Sequence, residues 1–483
     1  MSAQNLTLLT DLYELTMMQG YFESQANETV IFDVFFRENP NKGGYSVMAG
    51  LEQVIEYIKN LNFSYEDVDY LRGLGLFSED FLHYLSGFHF SGDIYAIPEG
   101  SVIFPREPLV KVIAPIMEAQ LVETAILNII NHQSLIATKA SRVVHAAQGN
   151  GVMEFGLRRA QGPDAGLYGA RAAMIGGCVG TSNVLAGKMF DVPVLGTHAH
   201  SWIMSFPDEY TAFKEYARLY PDACTLLVDT YDTLKSGVPN AIRVFQEMKD
   251  AGIHPKSYGI RLDSGDLAYL SKKARKMLDE AGFPDAVIAA SNDLDEFLIN
   301  DLKIQGAAIT SWGVGTNLIT SKDCPSFGGV YKLAAIQNKD GEFVPKIKIS
   351  ENIEKITNPG NKTIYRIYDK DTGKIRADLI CFADETYDTS EDLLLFDPNS
   401  TWKKTRLEGG TYTMKEILKP IFIRGECKYT SPSVKEIASF CEQEKNTLWD
   451  ETKRLVNPHE VHVDLSNELW HMKTRLLDAY HFE

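Results

Sequence analysis

S-Y-G-I-R-L-D-S-G-D-L-A-Y-L-S-K-K-A-R-K-M-L-D-E-A-G-F-P-D-A-V-I-A-A-S (257–291) reads as strand, turn, helix and strand. The run 257–263 alternates as a strand does. Ala268 to Gly282 has helical spacing and closes on the glycine that helix C-termini favour, and A-V-I-A-A-S (286–291) is a second strand. Strands joined by a helix lie parallel, because a parallel pair needs a long crossover. The same alternation extends in both directions. V-M-E-F (152–155), V-P-V-L-G-T (192–197), C-T-L-L-V-D (224–229), A-A-I-T-S-W-G (307–313) and G-V-Y-K-L-A-A-I (329–336) read as further strands, and Pro239–Gly252 as another helix. Seven or so such units favour an irregular (β/α) barrel over an open doubly wound sheet. Polar residues gather after the strands, at Phe155–Arg159, Thr197–Ser201, Asp229, Arg261–Asp266, Ser291–Asp293 and Trp312–Thr316. In parallel α/β folds the C-terminal strand edge carries the active site.

The flanks differ from this core. Residues 1–145 read as an α/β domain: V-I-F-D-V-F-F (30–36) is a buried strand and Val47, Leu51, Val54 and Ile58 share a helical face. D-I-Y-A-I (93–97) and S-V-I-F (101–104) are short strands, and a long helix runs from about Ala119 to Gln148. Residues 146–340 are the barrel. Residues 341–483 read as an accessory domain, mostly helical from Thr413 onward.

The 483 residues are 44% hydrophobic and 23% charged, which excludes disordered and fibrous classes. A net charge of −17 disfavours nonspecific binding to nucleic acid or anionic lipid, so an anionic substrate needs a local Arg or Lys cluster. No apolar run reaches the ~18 residues of a membrane span, and the start lacks a secretory pattern, which makes the cytoplasm the expected compartment. The six cysteines contain no C-x-x-C pair. Reduced thiols are the expectation, with a metal site from Cys324, Cys381, Cys427 and Cys441 left open.

Four stretches can carry chemistry. Glycine is concentrated in 149–197, where Arg158, Arg159 and Arg171 also lie; glycine lets backbone N–H groups approach a ligand, and arginine grips phosphate or carboxylate bidentately. In G-I-R-L-D-S-G-D (259–266), Arg261 and Asp263 alternate to one face and can bind an anion and a sugar diol or Mg²⁺; the bland reading is an ion pair plus an Asp helix cap. S-W-G-V-G-T-N (311–317) offers Gly313, Gly315 and Thr316 to a phosphate. G-T-H-A-H-S-W (196–202) places His198 and His200 just past a strand, as base, metal ligand, phosphoryl acceptor or structural imidazole.

T-D-L-Y-E-L-T-M (10–17), F-G-L-R-R-A-Q-G-P (155–163), G-G-C-V-G-T-S-N (176–183), G-T-H-A-H-S-W, G-I-R-L-D-S-G-D-L (259–267), G-V-G-T-N-L (313–318), G-G-V-Y-K-L (328–333) and K-I-S-E-N-I-E-K-I-T-N-P-G-N-K (348–362) together resemble the nicotinate phosphoribosyltransferase family. The resemblance implies an irregular barrel of the type II phosphoribosyltransferase kind, with an N-terminal α/β domain and a C-terminal accessory domain. It implies transfer of phosphoribosyl from 5-phosphoribosyl 1-pyrophosphate to nicotinate, coupled to ATP hydrolysis through a phosphohistidine at His200. Further implications are Mg²⁺ carried on the substrate pyrophosphate and a homodimer with shared active sites. By motif position, Tyr13 and Phe155 stack on the pyridine ring, Thr197, Ser182 and Arg261 contact nicotinate, and Arg261 and Asp263 are catalytic. Arg158, Asp263, Ser291, Asn292, Gly313, Gly315 and Thr316 hold the phosphoribosyl pyrophosphate.

The base is argued from Ser182. Nicotinamide-using relatives carry Asp there, which accepts an amide N–H and repels a carboxylate, whereas a neutral hydroxyl donates. A nicotinamide phosphoribosyltransferase, a noncatalytic sugar-phosphate or metabolite sensor, and a Schiff-base aldolase are the competing readings. The last wants a Lys at a strand end, and the polar ends between 197 and 316 present none.

Overall fold

The structure, a computed structural model, describes residues 5–352, 355–400 and 402–481. The M-S-A-Q start (1–4), and Ile353 and Glu354 within the 348–362 motif, lie outside the described residues. The chain forms two compact units, Met1–Leu135 with Ser326–Glu483, and Ile136–Pro325. The second unit thus falls within the 146–340 segment but for its first ten residues, while the flanking segments share the first unit.

The second unit is built on six short strands, β1 (Gly151–Glu154), β2 (Gly180–Thr181), β3 (Cys224–Leu227), β4 (Tyr258–Leu262), β5 (Val287–Ala290) and β6 (Ser311–Val314). All pair in parallel, in the order β2-β1-β6-β5-β4-β3. Helices α1 (Pro163–Ile175), α2 (Val238–Asp250), α3 (Leu267–Glu280) and α4 (Glu296–Ile304) make crossovers between successive strands. Leu226, Ile260, Leu262, Ile288 and Trp312 are fully buried, as expected for strands covered on both faces. In α3, Leu267, Ala268, Ser271, Ala274 and Leu278 are buried at helical spacing, and Gly282 follows at φ +85°, the left-handed geometry that suits a helix stop. The 192–198 segment spans the gap between the edge strands. Val194 bridges in parallel to Thr181 of β2, and the Leu227 N–H of β3 donates to His198 Nε2 at 3.3 Å.

That segment was expected to be a strand, yet it forms only this single bridge; Pro193 removes one donor and Gly196 is a weak strand former. G-V-Y-K-L-A-A-I also departs from expectation. As Val330–Gln337 it pairs antiparallel with Thr29–Phe35 in the first unit, outside the parallel sheet. Val47 lies in a short strand, Ser46–Val47, and only Leu51–Lys59 is helical. The long helix is two, Ile116–Leu121 and Glu123–Ala146.

The first unit holds two larger sheets. One runs Phe343–Pro345, Val330–Gln337, Thr29–Phe35, Val110–Pro115, Asp93–Ala96, Lys419–Ile423, Glu426–Cys427, all antiparallel. The other runs Lys404–Leu407, Leu393–Phe396, His462–Leu465, Ile375–Phe382, Lys362–Asp369, Tyr412–Glu416. The expected helical tail is therefore corrected: after Tyr412 three strands precede the helix Val434–Asn446, and His462–Leu465 precedes Asn467–His481. Tyr412, Thr413 and Phe422 are β-formers whose partners Asp369, Tyr368 and Ile94 are remote in sequence, which local spacing does not reveal. Among the described residues no helix is long and apolar enough to cross a membrane.

Candidate active site

Arg261 is the hub of the barrel unit. It is penultimate in β4, and its guanidinium makes three short bonds, Nε to Ser291 Oγ at 2.8 Å, Nη1 to Thr197 Oγ1 at 2.8 Å and Nη2 to Asp263 Oδ1 at 2.9 Å, with a longer one from Nη1 to His198 O at 3.5 Å. The Ser291 hydroxyl donates to the same Asp263 oxygen. One planar fork thus joins the ends of β4 and β5 and the 192–198 segment. Burial works to raise the Asp263 pKa, but the Ser291 hydroxyl and the Arg261 charge outweigh it and hold the carboxyl below its ordinary value.

Asp229, just past β3, carries the next layer. Its Oδ2 accepts from the Asp263 N–H at 2.9 Å and from Ser264 Oγ at 2.6 Å, while its buried Oδ1 has no hydrogen-bond partner. His200 faces both carboxylates: Nε2 lies 3.7 Å from Asp263 Oδ2 and 4.0 Å from Asp229 Oδ1, and Nδ1 is 3.0 Å from Thr230 Oγ1. The His200 side chain is 40% exposed, open to a ligand.

His198 is the opposite case. It is buried, its Nε2 accepts a backbone N–H, and its ring packs edge-on to Tyr216 at 4.6 Å. A nitrogen that accepts an amide bond is unprotonated. Burial, with the Arg261 and His200 charges, pushes the His198 pKa down to about 4. It is a structural imidazole.

At β1 and β6 the backbone is shaped around one ring. A Cβ on Gly313 would lie 2.6 Å from two Phe155 ring carbons, so glycine is required for that ring to rest there. Phe155 N–H donates to Val314 O at 2.8 Å. Gly315 passes under the Phe155 carbonyl, and Thr316 opens the short helix Thr316–Ile319. Asn317 donates to Asp293 O at 2.7 Å and Leu294 O at 3.2 Å, bracing the loop after β5. In that loop Asn292 and Asp293 both adopt positive φ, +91° and +43°, and Asn292 is exposed. Strain of this kind gathers at ligand sites.

Ser182 follows β2, half-buried, its N–H bound to Glu154 O at 3.0 Å. Arg158 lies exposed in the turn Leu157–Arg159. Asp266 caps α3 through the Tyr269 N–H at 2.9 Å, so the two carboxylates of G-I-R-L-D-S-G-D divide the functional and capping readings between them. Arg171 is fully buried on α1. Tyr13 belongs to the first unit, on Leu12–Glu23, and is 46% exposed; burial and the Glu123 charge push its hydroxyl up to about 12.

Asp229, Thr230 and Glu154 were not among the sequence-derived site residues. Asp229 was visible as a polar strand end and Thr230 only as its neighbour. Glu154 shares the buried face of β1 with Val152, a carboxylate where an apolar residue is normal. Its Oε2 accepts from Thr181 Oγ1 at 2.6 Å and its Oε1 from the Gly156 N–H. Burial raises its pKa. Among the described residues no three His, Cys, Asp or Glu side chains come together as a metal site, and all six cysteines are free thiols.

A parallel barrel with Arg, two Asp and an open His on its C-terminal edge defines a type II phosphoribosyltransferase architecture. The comparisons agree. Residues 8–131 match the nicotinate phosphoribosyltransferase (NAPRTase) N-terminal domain, 151–370 the nicotinate phosphoribosyltransferase (NAPRTase) family, and 361–473 the nicotinate phosphoribosyltransferase C-terminal domain. The nicotinate phosphoribosyltransferase of Bacillus subtilis (strain 168) is 48% identical over 97% of this chain and 94% of its own, and the Homo sapiens enzyme of that name 31% identical over 96% and 95%. The crystal structure of human nicotinic acid phosphoribosyltransferase superposes with a TM-score of 0.84 at 28% identity, covering 97% of this chain and 99% of its own. The chain belongs to the nicotinate phosphoribosyltransferase family, enzymes of NAD biosynthesis.

Proposed function

We propose that this enzyme joins nicotinate to 5-phosphoribosyl 1-pyrophosphate in NAD salvage, and that ATP hydrolysis drives the step through phosphorylation of His200. The observation that carries the reading is the His200 environment: one ring nitrogen fixed by Thr230, the other faced by Asp229 and Asp263, the ring open to solvent. An unprotonated His200 nitrogen attacks the γ-phosphorus of ATP, the bond to the ADP oxygen breaks, and ADP departs. Water later cleaves the phosphoimidazole and returns phosphate and free His200. His198 cannot substitute, since its Nε2 is occupied by a backbone N–H.

In the transfer itself the pyridine nitrogen attacks the ribose C1 as the C1–O bond to pyrophosphate breaks. Phe155 and, from a partner subunit of a homodimer, Tyr13 hold the ring between aromatic faces, which is catalysis by orientation. Thr197, Ser182 and Arg261 meet the nicotinate carboxylate, and the neutral Ser182 favours it over an amide. Asp263 holds the ribose hydroxyls. Arg158, Ser291, Asn292, Gly313, Gly315 and Thr316 hold the phosphates, and positive charge there stabilises the leaving group. The Asp229 Oδ1 without a partner and the Asp263 carboxylate are hard oxygen donors, two in number, which fits Mg²⁺ bound partly by substrate phosphate. When bound, Mg²⁺ neutralises pyrophosphate charge. The barrel segment 146–340 carries this chemistry, 1–145 supplies Tyr13, and 341–483 is accessory. The compartment is the cytoplasm, where these metabolites are used.

The test is a product assay with phosphoribosyl pyrophosphate and Mg²⁺, with nicotinate or nicotinamide, with and without ATP. Faster nicotinate mononucleotide formation with ATP, and its uncoupling in His200→Ala, are expected. ATP stimulation that survives His200→Ala overturns the phosphohistidine, and preference for nicotinamide overturns the Ser182 argument.

A further inference from the structure

Glu14 follows Tyr13 in the helix Leu12–Glu23 of the first unit, and the two side chains have opposite surroundings. Tyr13 is half-exposed, whereas Glu14 is fully buried, on the same helix face as the buried Leu15 and Met18. A carboxylate is almost never fully buried unless its oxygens are met. Three neutral donors meet this one. Oε1 accepts the Thr124 N–H at 3.0 Å and the Thr124 hydroxyl at 2.7 Å, and Oε2 accepts the Thr10 hydroxyl.

Thr124 is the second residue of the helix Glu123–Ala146, so its N–H is one of the four that a helix start leaves without an internal partner. Glu14 therefore closes the start of that helix from outside. The start of its own helix is tied to the same point. Asp11, the N-cap of Leu12–Glu23, makes no side-chain capping bond there; its Oδ2 lies 3.0 Å from the Thr124 hydroxyl instead. One threonine thus holds both helix starts, and the turn it holds carries Tyr13. The neighbouring Glu123 faces the Tyr13 hydroxyl. Burial, with the Glu123 and Asp11 charges, raises the Glu14 pKa to about 7 against the pull of the two Thr124 bonds. A neutral side chain of the same shape therefore suits the site.

We infer that Glu14 is a positioning residue, whose bonds to Thr124 set the angle at which Tyr13 meets the pyridine ring. The inference rests on the stacking role given to Tyr13 above. Glu14 is fully buried and acts on the base through the Tyr13 turn. A stacking face that tilts with a loosened turn loses its hold on the ring.

Steady-state kinetics of the full-length enzyme test it. Tyr13→Ala sets the reference, with an expected rise of about tenfold in the nicotinate KM. Glu14→Leu, which leaves the buried Thr124 N–H without its acceptor, should raise that KM about tenfold and leave the phosphoribosyl pyrophosphate KM unchanged. Glu14→Gln keeps an acceptor toward Thr124 and a donor toward the Thr10 hydroxyl, and should restore the KM to near wild type. Thr124→Val removes the hydroxyl alone, should give a smaller rise, and covers the case in which Glu14→Leu fails to fold. Glu14→Leu added to Tyr13→Ala should raise the KM no further. A lower Tm and a lower kcat with both KM values in place would make Glu14 a structural support only and overturn the inference. So would a Glu14→Leu effect that adds in full to that of Tyr13→Ala. If Tyr13→Ala leaves the nicotinate KM unchanged, the stacking role itself falls, and this inference with it. If Tyr13→Ala raises it while Glu14→Leu and Thr124→Val do not, only the role of Glu14 falls.

Discussion

Two arginines in this molecule put their carboxylate contacts to opposite uses. Arg261 binds Asp263, Ser291 and Thr197 at an open edge, where His200, facing the same Asp263, is 40% exposed. Arg366, in the first unit, binds Asp378 at 2.7 Å, Glu444 at 3.0 Å and Glu107 at 3.5 Å, and is fully buried with all its polar groups facing inward. There burial and the Asp378 charge push the Glu107 pKa well up. Composition does not separate a site from a girder. What separates them is unmet capacity: the Asp229 oxygen has no hydrogen-bond partner and the His200 ring is exposed, whereas Arg366 is enclosed by carboxylates.

Breaking the sealed cluster should have the largest effect. Arg366→Ala leaves buried carboxylates without their cation, at a cost of about 3–5 kcal/mol. Thermal denaturation should show a large drop in Tm or no folded protein. If Arg366→Ala melts like the wild type, the cluster is not structural and the contrast fails. Arg261→Lys should reverse the pattern. A compact ammonium cannot span the separated Thr197, Ser291 and Asp263 groups as the planar guanidinium does, so kcat/KM should fall about 10²-fold, ~2.7 kcal/mol, while Tm stays near wild type.

How far these regions could be read in advance follows the same division. The barrel was legible because each βαβ unit is local, and because strand ends, glycine turns and the Arg261–Asp263 alternation sit within a few residues of each other. The segment 192–198 misled, since V-P-V-L has strand composition but Pro193 and Gly196 spoil the ladder. The C-terminal strands were illegible: Tyr412–Glu416 pairs with Lys362–Asp369 in one sheet and Lys419–Ile423 with Asp93–Ala96 in the other, and no local period encodes those partners. Arg366, inside the strand Lys362–Asp369, offered no sign of its three acids. Within the site, Arg261, Asp263, Ser291, Thr197 and His200 were found by motif and proved adjacent, while Asp229 and Thr230 complete the His200 pocket only in three dimensions.

The two histidines sharpen the comparison through pH. His198 titrates near 4 when folded and near 6.5 when unfolded. Its folded pKa is depressed, so its contribution is complete above about 6.5 and is lost as pH falls toward 4. The full difference is on the order of 3 kcal/mol. The stability gap between wild type and His198→Gln, from urea midpoints across pH 4 to 8, should narrow on acidification through that window. A gap that is flat with pH would mean His198 is not held neutral.

Glu154 tests the comparison at its margin, because it is sealed like Arg366 but sits beside the open site. It accepts from the Gly156 N–H, which sets the turn carrying Phe155, and from the Thr181 hydroxyl, which itself accepts the Asn183 N–H at 3.0 Å and so fixes the loop carrying Ser182. One carboxylate thus positions two residues assigned to nicotinate. Glu154→Gln keeps the shape but replaces one acceptor oxygen with a donor, which a backbone N–H cannot accommodate and the Thr181 hydroxyl can, by rotating. The net loss is about 1–2 kcal/mol, a roughly five- to thirty-fold rise in the nicotinate KM. The phosphoribosyl pyrophosphate KM and phosphorylation of His200 should not move, because Glu154 touches neither group. A uniform fall in kcat with a lower Tm would instead place Glu154 with Arg366, as a support for the strand rather than for the base. Thr181→Val, measured alone and combined with Glu154→Gln, decides between the two: effects that fail to add show that both act through the same loop.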